Sequence, residues 1–204
     1  DWVDRMHQCA YSHDYIATVT PFSNNATICS YPHFCRDYPY DFKVGFDGVD
    51  FFASTVNKGK YVDIPTGVGF CMYVKRKCLQ EVGLFDVERF GLGYGEENDF
   101  CLRGAQKGWK HVLATDTFVR HLGKTSFRET SQAHISNGLK VLKKKYPEYL
   151  PRVSAFCRKD PARPFRAALD IARIKQQLHD RCVLFVTHNH GGGTEEHVQD
   201  LAAR

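Results

Sequence analysis

Short apolar runs rich in β-branched residues alternate along this chain with stretches whose apolar residues recur at helical spacing, and that alternation restricts the fold to the mixed α/β class. Trp2, Val3, Met6, Cys9 and Ala10 lie at helical spacing and lead through Ser12 and His13 into residues 15–20, a strand closed by Pro21. Residues 22–40, rich in Asn, Ser, Pro and Tyr, predict a loop long enough to suggest binding rather than mere connection. A short helix is expected near 49–56, strands at 61–64 and 69–74 around the break at Pro65, Thr66 and Gly67, and a helix over 77–82. Gly91, Gly93 and Gly95 form a flexible stretch before a helix over 96–107, which has acids in its first turn and Gly108 near its end. Two returning strands, 111–114 and 118–120, and a second long helix over 129–146, ended by Pro147, complete this part.

A Pro-punctuated basic stretch from Pro151 to Pro164 predicts a linker and a boundary. Phe165, Leu169, Ala172 and Leu178 stripe one more helix, after which 182–187 run apolar into Gly191, Gly192, Gly193 and a helix start at Thr194, the opening of a parallel βαβ unit. Three parts are expected: residues 1–150, a basic helical linker over 151–181, and the Rossmann-like start of a second domain over 182–204. The opening on Asp1 and the barely begun last helix suggest cuts through a longer polypeptide.

A chain of 204 residues with 43% apolar content has enough material for one packed domain, or one with an appended piece. No run of 18 apolar residues and no signal-peptide pattern occurs, so a cytoplasmic setting is expected. The eight cysteines show no C-x-x-C pair or zinc spacing and read as small buried thiols. The net charge of +5 is uneven: residues 138–182 hold 12 Lys and Arg against 4 Asp and Glu, leaving −3 elsewhere. That segment reads equally as a solvated helix face or as a contact, through residues 140–166, for anionic lipid headgroups or a pyrophosphate-linked acceptor. Nucleic acid fits poorly, because no aromatic-interleaved basic motif accompanies the charge.

The sharpest chemical signal is the string from Gly95 to Arg103, in which Glu96, Glu97 and Asp99 crowd into four positions at a helix mouth. Each acid alone is explained by the helix dipole and its free N–H groups. Three together set mutual repulsion against the helix field, an environment suited to a carboxylate that works as general base. Downstream, His121 stands at a strand end before Gly123, Lys124, Thr125 and Ser126, where a neutral imidazole suits either a structural hydrogen bond or a site for Mn²⁺, Mg²⁺ or phosphate.

Pro65-Thr66-Gly67-Val68-Gly69-Phe70-Cys71 leading to Arg76, then Val82-Gly83-Leu84-Phe85-Asp86, the carboxylate string, Gly108-Trp109 and Val119-Arg120-His121 together resemble the second half of a family 2 glycosyltransferase domain of the GT-A fold, over roughly residues 1–130. Residues 21–26, with Asn24 and Asn25, are similar to a segment of bacterial polysaccharide-type members. The resemblance implies an inverting transfer from a nucleotide-sugar donor to a glycan or lipid-linked acceptor. It assigns the catalytic base to Glu97, where the family has aspartate, with Glu96 and Asp99 as rivals. It assigns metal ligation to His121 in a complete, Mn²⁺- or Mg²⁺-dependent enzyme, and donor or acceptor contacts to Thr66, Gly67, Gly69, Asn24, Asn25, Arg103 and Lys124. The Asp-x-Asp donor motif of the family does not occur in this chain, so the donor half is expected before Asp1 and the chain alone is expected to be inactive.

The run 182–188 with its glycine triplet resembles the first strand and turn of a GT-B, family 4 glycosyltransferase; a merely structural turn reads equally well. His188, His190 and His197 form a loose metal-ligand pattern. Two other readings stand beside the transferase. One is a carbohydrate- or partner-binding module that stacks Tyr31, Phe34, Tyr38 and Tyr40 on its ligand, and the other is a metal-dependent hydrolase using the same acids and His121.

Overall fold

The computed structural model describes residues 1–90, 95–123 and 131–178 and the single residue Val198. The expectations for Lys124 and for 182–197, including the second glycosyltransferase start and its three histidines, fall outside the described residues. Residues Asp1–Arg173 form one compact unit and Ile174–Arg204 another.

Among the described residues the chain is α/β, with eight helices and one mixed sheet of four strands. Helix α1 (Trp2–Tyr11) starts in a capping box, in which the Asp1 carboxylate accepts from the Asp4 amide and Asp4 reaches back to the Asp1 amine. It leads into β1 (Ile16–Phe22), which is buried along its whole length because it is an inner strand. Strand β1 lies parallel to β4 (Lys110–Phe118) and antiparallel to the two-residue β3 (Tyr73–Val74), while β2 (Tyr61–Ile64) flanks β4 antiparallel, giving the order β2-β4-β1-β3. Between the strands stand α2 (Gly45–Val56), α3 (Arg76–Val82), α4 (Val87–Phe90) and α5 (Glu96–Gln106). After β4 come α6 (Ser131–Lys145), α7 (Tyr149–Lys159) and α8 (Arg163–Gln177).

Three expectations change. The two returning strands are one, β4, because the polar residues between them are satisfied in place: Thr115 donates to the Lys60 carbonyl (2.8 Å), and Asp116 accepts from the Gly59 amide (2.9 Å) and the Thr117 hydroxyl (3.0 Å). The strand expected over 69–74 shrinks to Tyr73 and Val74, the only part of it that pairs with β1. The Pro-punctuated stretch is helical, since Pro151 and Pro164 fall in the first turns of α7 and α8, where a missing N–H removes no intrahelical bond.

Helices pack on the sheet through distinct clusters. Met6 and Ala10 of α1 meet Ile16, Val19, Val112 and Ala114; Phe100 and Cys101 of α5 meet Ala17, Cys78 and Trp109. The largest cluster joins Phe22, Tyr31, Phe42, Val49, Leu113 and Phe118 to Phe156 of α7 and Leu169 of α8, so residues 151–173 contribute to the core of the first unit. Each such side chain contributes about 1.5–3 kcal/mol by leaving water. Phe90, Leu102, Leu142, Tyr146 and Tyr149 tie α5 to α6 and α7. No helix among the described residues is long and apolar enough to cross a membrane.

Candidate active site

Helix α5 opens on Gly95, whose φ of +106° lies in the left-handed region and whose missing Cβ leaves room for the Phe90 ring at 3.0 Å. That turn sets three carboxylates in three different surroundings. Asp99 is fully buried and carries three donors: Arg103 Nε at 2.7 Å, Lys145 Nζ at 2.6 Å and the Tyr146 hydroxyl at 2.9 Å. Burial alone would raise its pKa, but the bonds from Lys145, Arg103 and Tyr146 outweigh it and hold the carboxyl below its ordinary value. Asp99 is therefore an internal anchor of α5 against α6. Arg103 serves the same brace, with its remaining donors on the Val82 carbonyl (2.5 Å) and the Leu84 carbonyl (2.8 Å). Asp99, expected as a rival base, is thus fully buried and bonded on both oxygens, and Arg103, expected as a ligand contact, is engaged in this brace while 22% of its side chain stays exposed.

Glu97 stands differently. It is half-buried, and its side chain lies along the exposed Gly69, whose Cβ position would be 3.5 Å from Glu97 Cγ. Its Oε2 accepts from the Gly95 amide (3.1 Å) and its Oε1 from the Asn98 side-chain amide (3.0 Å). Burial pushes its pKa up and the neighbouring Glu96 charge acts in the same sense, while the N–H groups of the helix mouth pull it back; burial prevails and the carboxyl sits above its ordinary value. Glu96 contributes a further polar atom, an Oε2 that is buried with no hydrogen-bond partner among the described residues.

Asn98 orients Glu97. Its Oδ1 accepts from both the Thr66 hydroxyl (2.8 Å) and the Tyr149 hydroxyl (2.9 Å), which leaves its NH₂ to face the carboxylate. Thr66 is thus a buried support of Asn98. Gly67 donates to Cys101 Sγ at 3.3 Å, and Val68 to the Thr20 hydroxyl at 3.2 Å, which pins the 65–68 turn onto α5 and β1. Asn98 and Tyr149 carry no chemical label in the sequence. Tyr149 is 51 residues from its partner, and no local pattern announces such a pair.

His121 is clamped from beneath. Its ring stacks on Phe70 with centroids 5.1 Å apart, and Nδ1 lies 2.6 Å from the Asn25 carbonyl, so Nδ1–H donates there and Nε2 takes no part in that bond. Asn24 holds the same backbone, accepting from the His121 amide (2.8 Å) and donating to the His121 carbonyl (3.1 Å). Asn24 and Asn25 consequently act as positioning groups. Gly69 and Phe70 are adjacent in the chain, so one short segment touches Glu97 at one residue and His121 at the next. No group of three or more His, Cys, Asp or Glu side chains that could hold a metal occurs among the described residues, and His121 stands as a single potential ligand.

The aromatic loop residues are mostly lids. Tyr31 is fully buried and donates to Asp170 at 2.9 Å, Phe34 and Tyr38 pack against the main cluster, and Tyr40 alone of the four is exposed, at 68%. Of the cysteines, Cys29, Cys78 and Cys101 are buried as expected, whereas Cys35 is exposed. Comparison of the chain with known families, with curated proteins and with solved structures finds no match to any of them.

Proposed function

We propose that this chain is the acceptor-side, base-bearing part of an inverting glycosyltransferase that takes a sugar from a nucleotide-diphosphate sugar to a glycan or lipid-linked acceptor. The observation that carries the reading is Glu97: alone among the carboxylates of α5 it combines a raised pKa, two orienting hydrogen bonds and a position against an exposed glycine. A general base works best when its pKa approaches the operating pH, and the half-buried setting moves a glutamate in that direction.

In this reading Glu97 takes the proton from an acceptor hydroxyl as that oxygen forms its bond to the anomeric carbon. The bond from that carbon to the diphosphate breaks on the opposite face, and the configuration inverts. Proton abstraction contributes roughly 10²- to 10⁴-fold, with the rest from positioning and charge compensation. His121, with Nδ1 committed to the Asn25 carbonyl, is the residue that would hold a Mn²⁺ or Mg²⁺ ion, whose chemistry is to neutralise charge on the departing diphosphate. The donor-binding part of the reaction is left to a segment with an Asp-x-Asp motif, which this chain does not contain.

The test is Glu97→Gln in this chain supplied with a donor-binding half of the same enzyme class: sugar transfer is expected to fall by at least about 10²-fold with donor binding retained. Undiminished transfer would move the base to Glu96, whose unpartnered Oε2 lies in the same turn. Free sugar as the only product would favour a hydrolase.

A further inference from the structure

Loop residues 32–36 and the start of α8 face each other across an open cleft of about 440 Å³. Four basic side chains line it: His33 and Arg36 from the loop, Arg163 and Arg166 from the first turn of α8. Two acids line it as well, but both are already matched. Asp160 is paired with Arg166, and Asp170 accepts from the Tyr31 hydroxyl (2.9 Å) and lies 3.5 Å from Arg173. Arg36 and Arg163 are exposed and have no ion-pair partner among the described residues, so the cleft carries two uncompensated guanidinium groups.

Arg166 makes this more than a solvated basic patch. It is only 5% exposed, its guanidinium lies over the Phe34 ring at 4.5 Å, and Nη2 is held by Asp160. Its Nη1 is buried with neither a hydrogen-bond partner nor solvent. A buried, permanently charged donor without an acceptor is costly, and a bound ion or water is among the explanations such a group calls for. The dipole of the 15-residue α8 adds positive potential at the same end.

We infer that this cleft binds a phosphoryl anion, a phosphate or diphosphate group held by Arg36, Arg163 and Arg166. Planar guanidinium forks match the several oxygens of a phosphoryl group, and separate cations favour a multiply charged ligand over a single carboxylate. The volume leaves room for a diphosphate and part of whatever carries it. The cleft shares no residue with the carboxylate site on α5, so it stands or falls independently of the transfer chemistry.

Titration calorimetry of the 204-residue chain with inorganic pyrophosphate, at ionic strength matched with sodium chloride, tests it. Saturable binding at one site is expected. Arg36→Ala with Arg163→Ala, both at exposed positions and checked for folding by circular dichroism, should weaken it about tenfold or more. Arg163→Gln, which keeps helix propensity, should weaken it in the same direction. Arg158→Ala, at an exposed cation outside the cleft, should leave it unchanged. Flotation with phosphatidic acid vesicles against phosphatidylcholine vesicles separates the sources: capture lost in the double variant assigns the anion to a lipid surface, and pyrophosphate binding without capture assigns it to a soluble ligand. No saturable heat, or equal weakening by Arg158→Ala, would overturn the inference.

Discussion

Glu97 and Asp99 stand two positions apart on α5, and their carboxyls are pushed in opposite directions. Asp99 sits below its ordinary value of 3.8, so its contribution to stability is present above that pH and is lost as pH falls through the depressed value. Glu97 sits above its ordinary value of 4.5, so its favourable contribution belongs to acid pH and is lost as pH rises through the raised value. At neutral pH, Asp99→Asn is expected to destabilise the fold by about 3 kcal/mol, the low end for a broken buried pair, because Arg103 and Lys145 keep 22% and 31% exposure. Glu97→Gln should raise the Tm, as substitutions that relax a strained functional site commonly do. Thermal unfolding of the two variants measures both; a loss of Tm in Glu97→Gln would mean that its charge is a structural asset. His111 supplies a separate pH signal. Burial lowers its pKa from 6.5 to about 4, and both ring nitrogens are engaged, by the Thr18 hydroxyl and the Cys101 carbonyl at 2.8 Å each. Stability from neutral His111 is full above pH 6.5 and is lost on acidification towards pH 4, by roughly 3 kcal/mol in all. Unfolding measured from pH 7 to 4 should show this slope, and His111→Gln should flatten it.

At the scale of elements, one tight turn and one clamp decide whether Glu97 and His121 are presented at all. Gly123, at φ +61°, has no room for a Cβ because the Asn25 side-chain amide occupies that space. Gly123→Ala is expected to cost about 1–2 kcal/mol for the left-handed conformation and to shift Asn25 from His121. The NMR chemical shifts of the His121 ring should then change, while a mutant spectrum identical to wild type would show that the clamp does not depend on this turn. Helix α5 was legible because its cues are local: a glycine, three acids and Gly108 within one segment. The single long β4 was not, since its middle is polar and is completed by Gly59 and Lys60, distant in sequence.

For the whole molecule, α7 and α8 are structural rather than connecting. Asn57, almost wholly buried, donates to the Thr115 carbonyl (3.0 Å) and the Phe165 carbonyl (3.2 Å), joining the sheet to the turn before α8's buried Leu169. Leu169→Ala should therefore cost about 2–5 kcal/mol in denaturant unfolding, the range of a core truncation, where a linker position would change it by no more than about 0.5 kcal/mol. The alternation of strand and helix, the helix mouth with its acids and the absence of a long apolar span were set by residue order, because each is a property of neighbours in the chain. Which acid has its pKa raised and which is an internal anchor was decided only by tertiary structure. The partners that hold Asp99 and orient Asn98 come from 46, 47 and 51 residues away, and the burial that separates the two carboxyls exists only once α6 and α7 have packed onto α5.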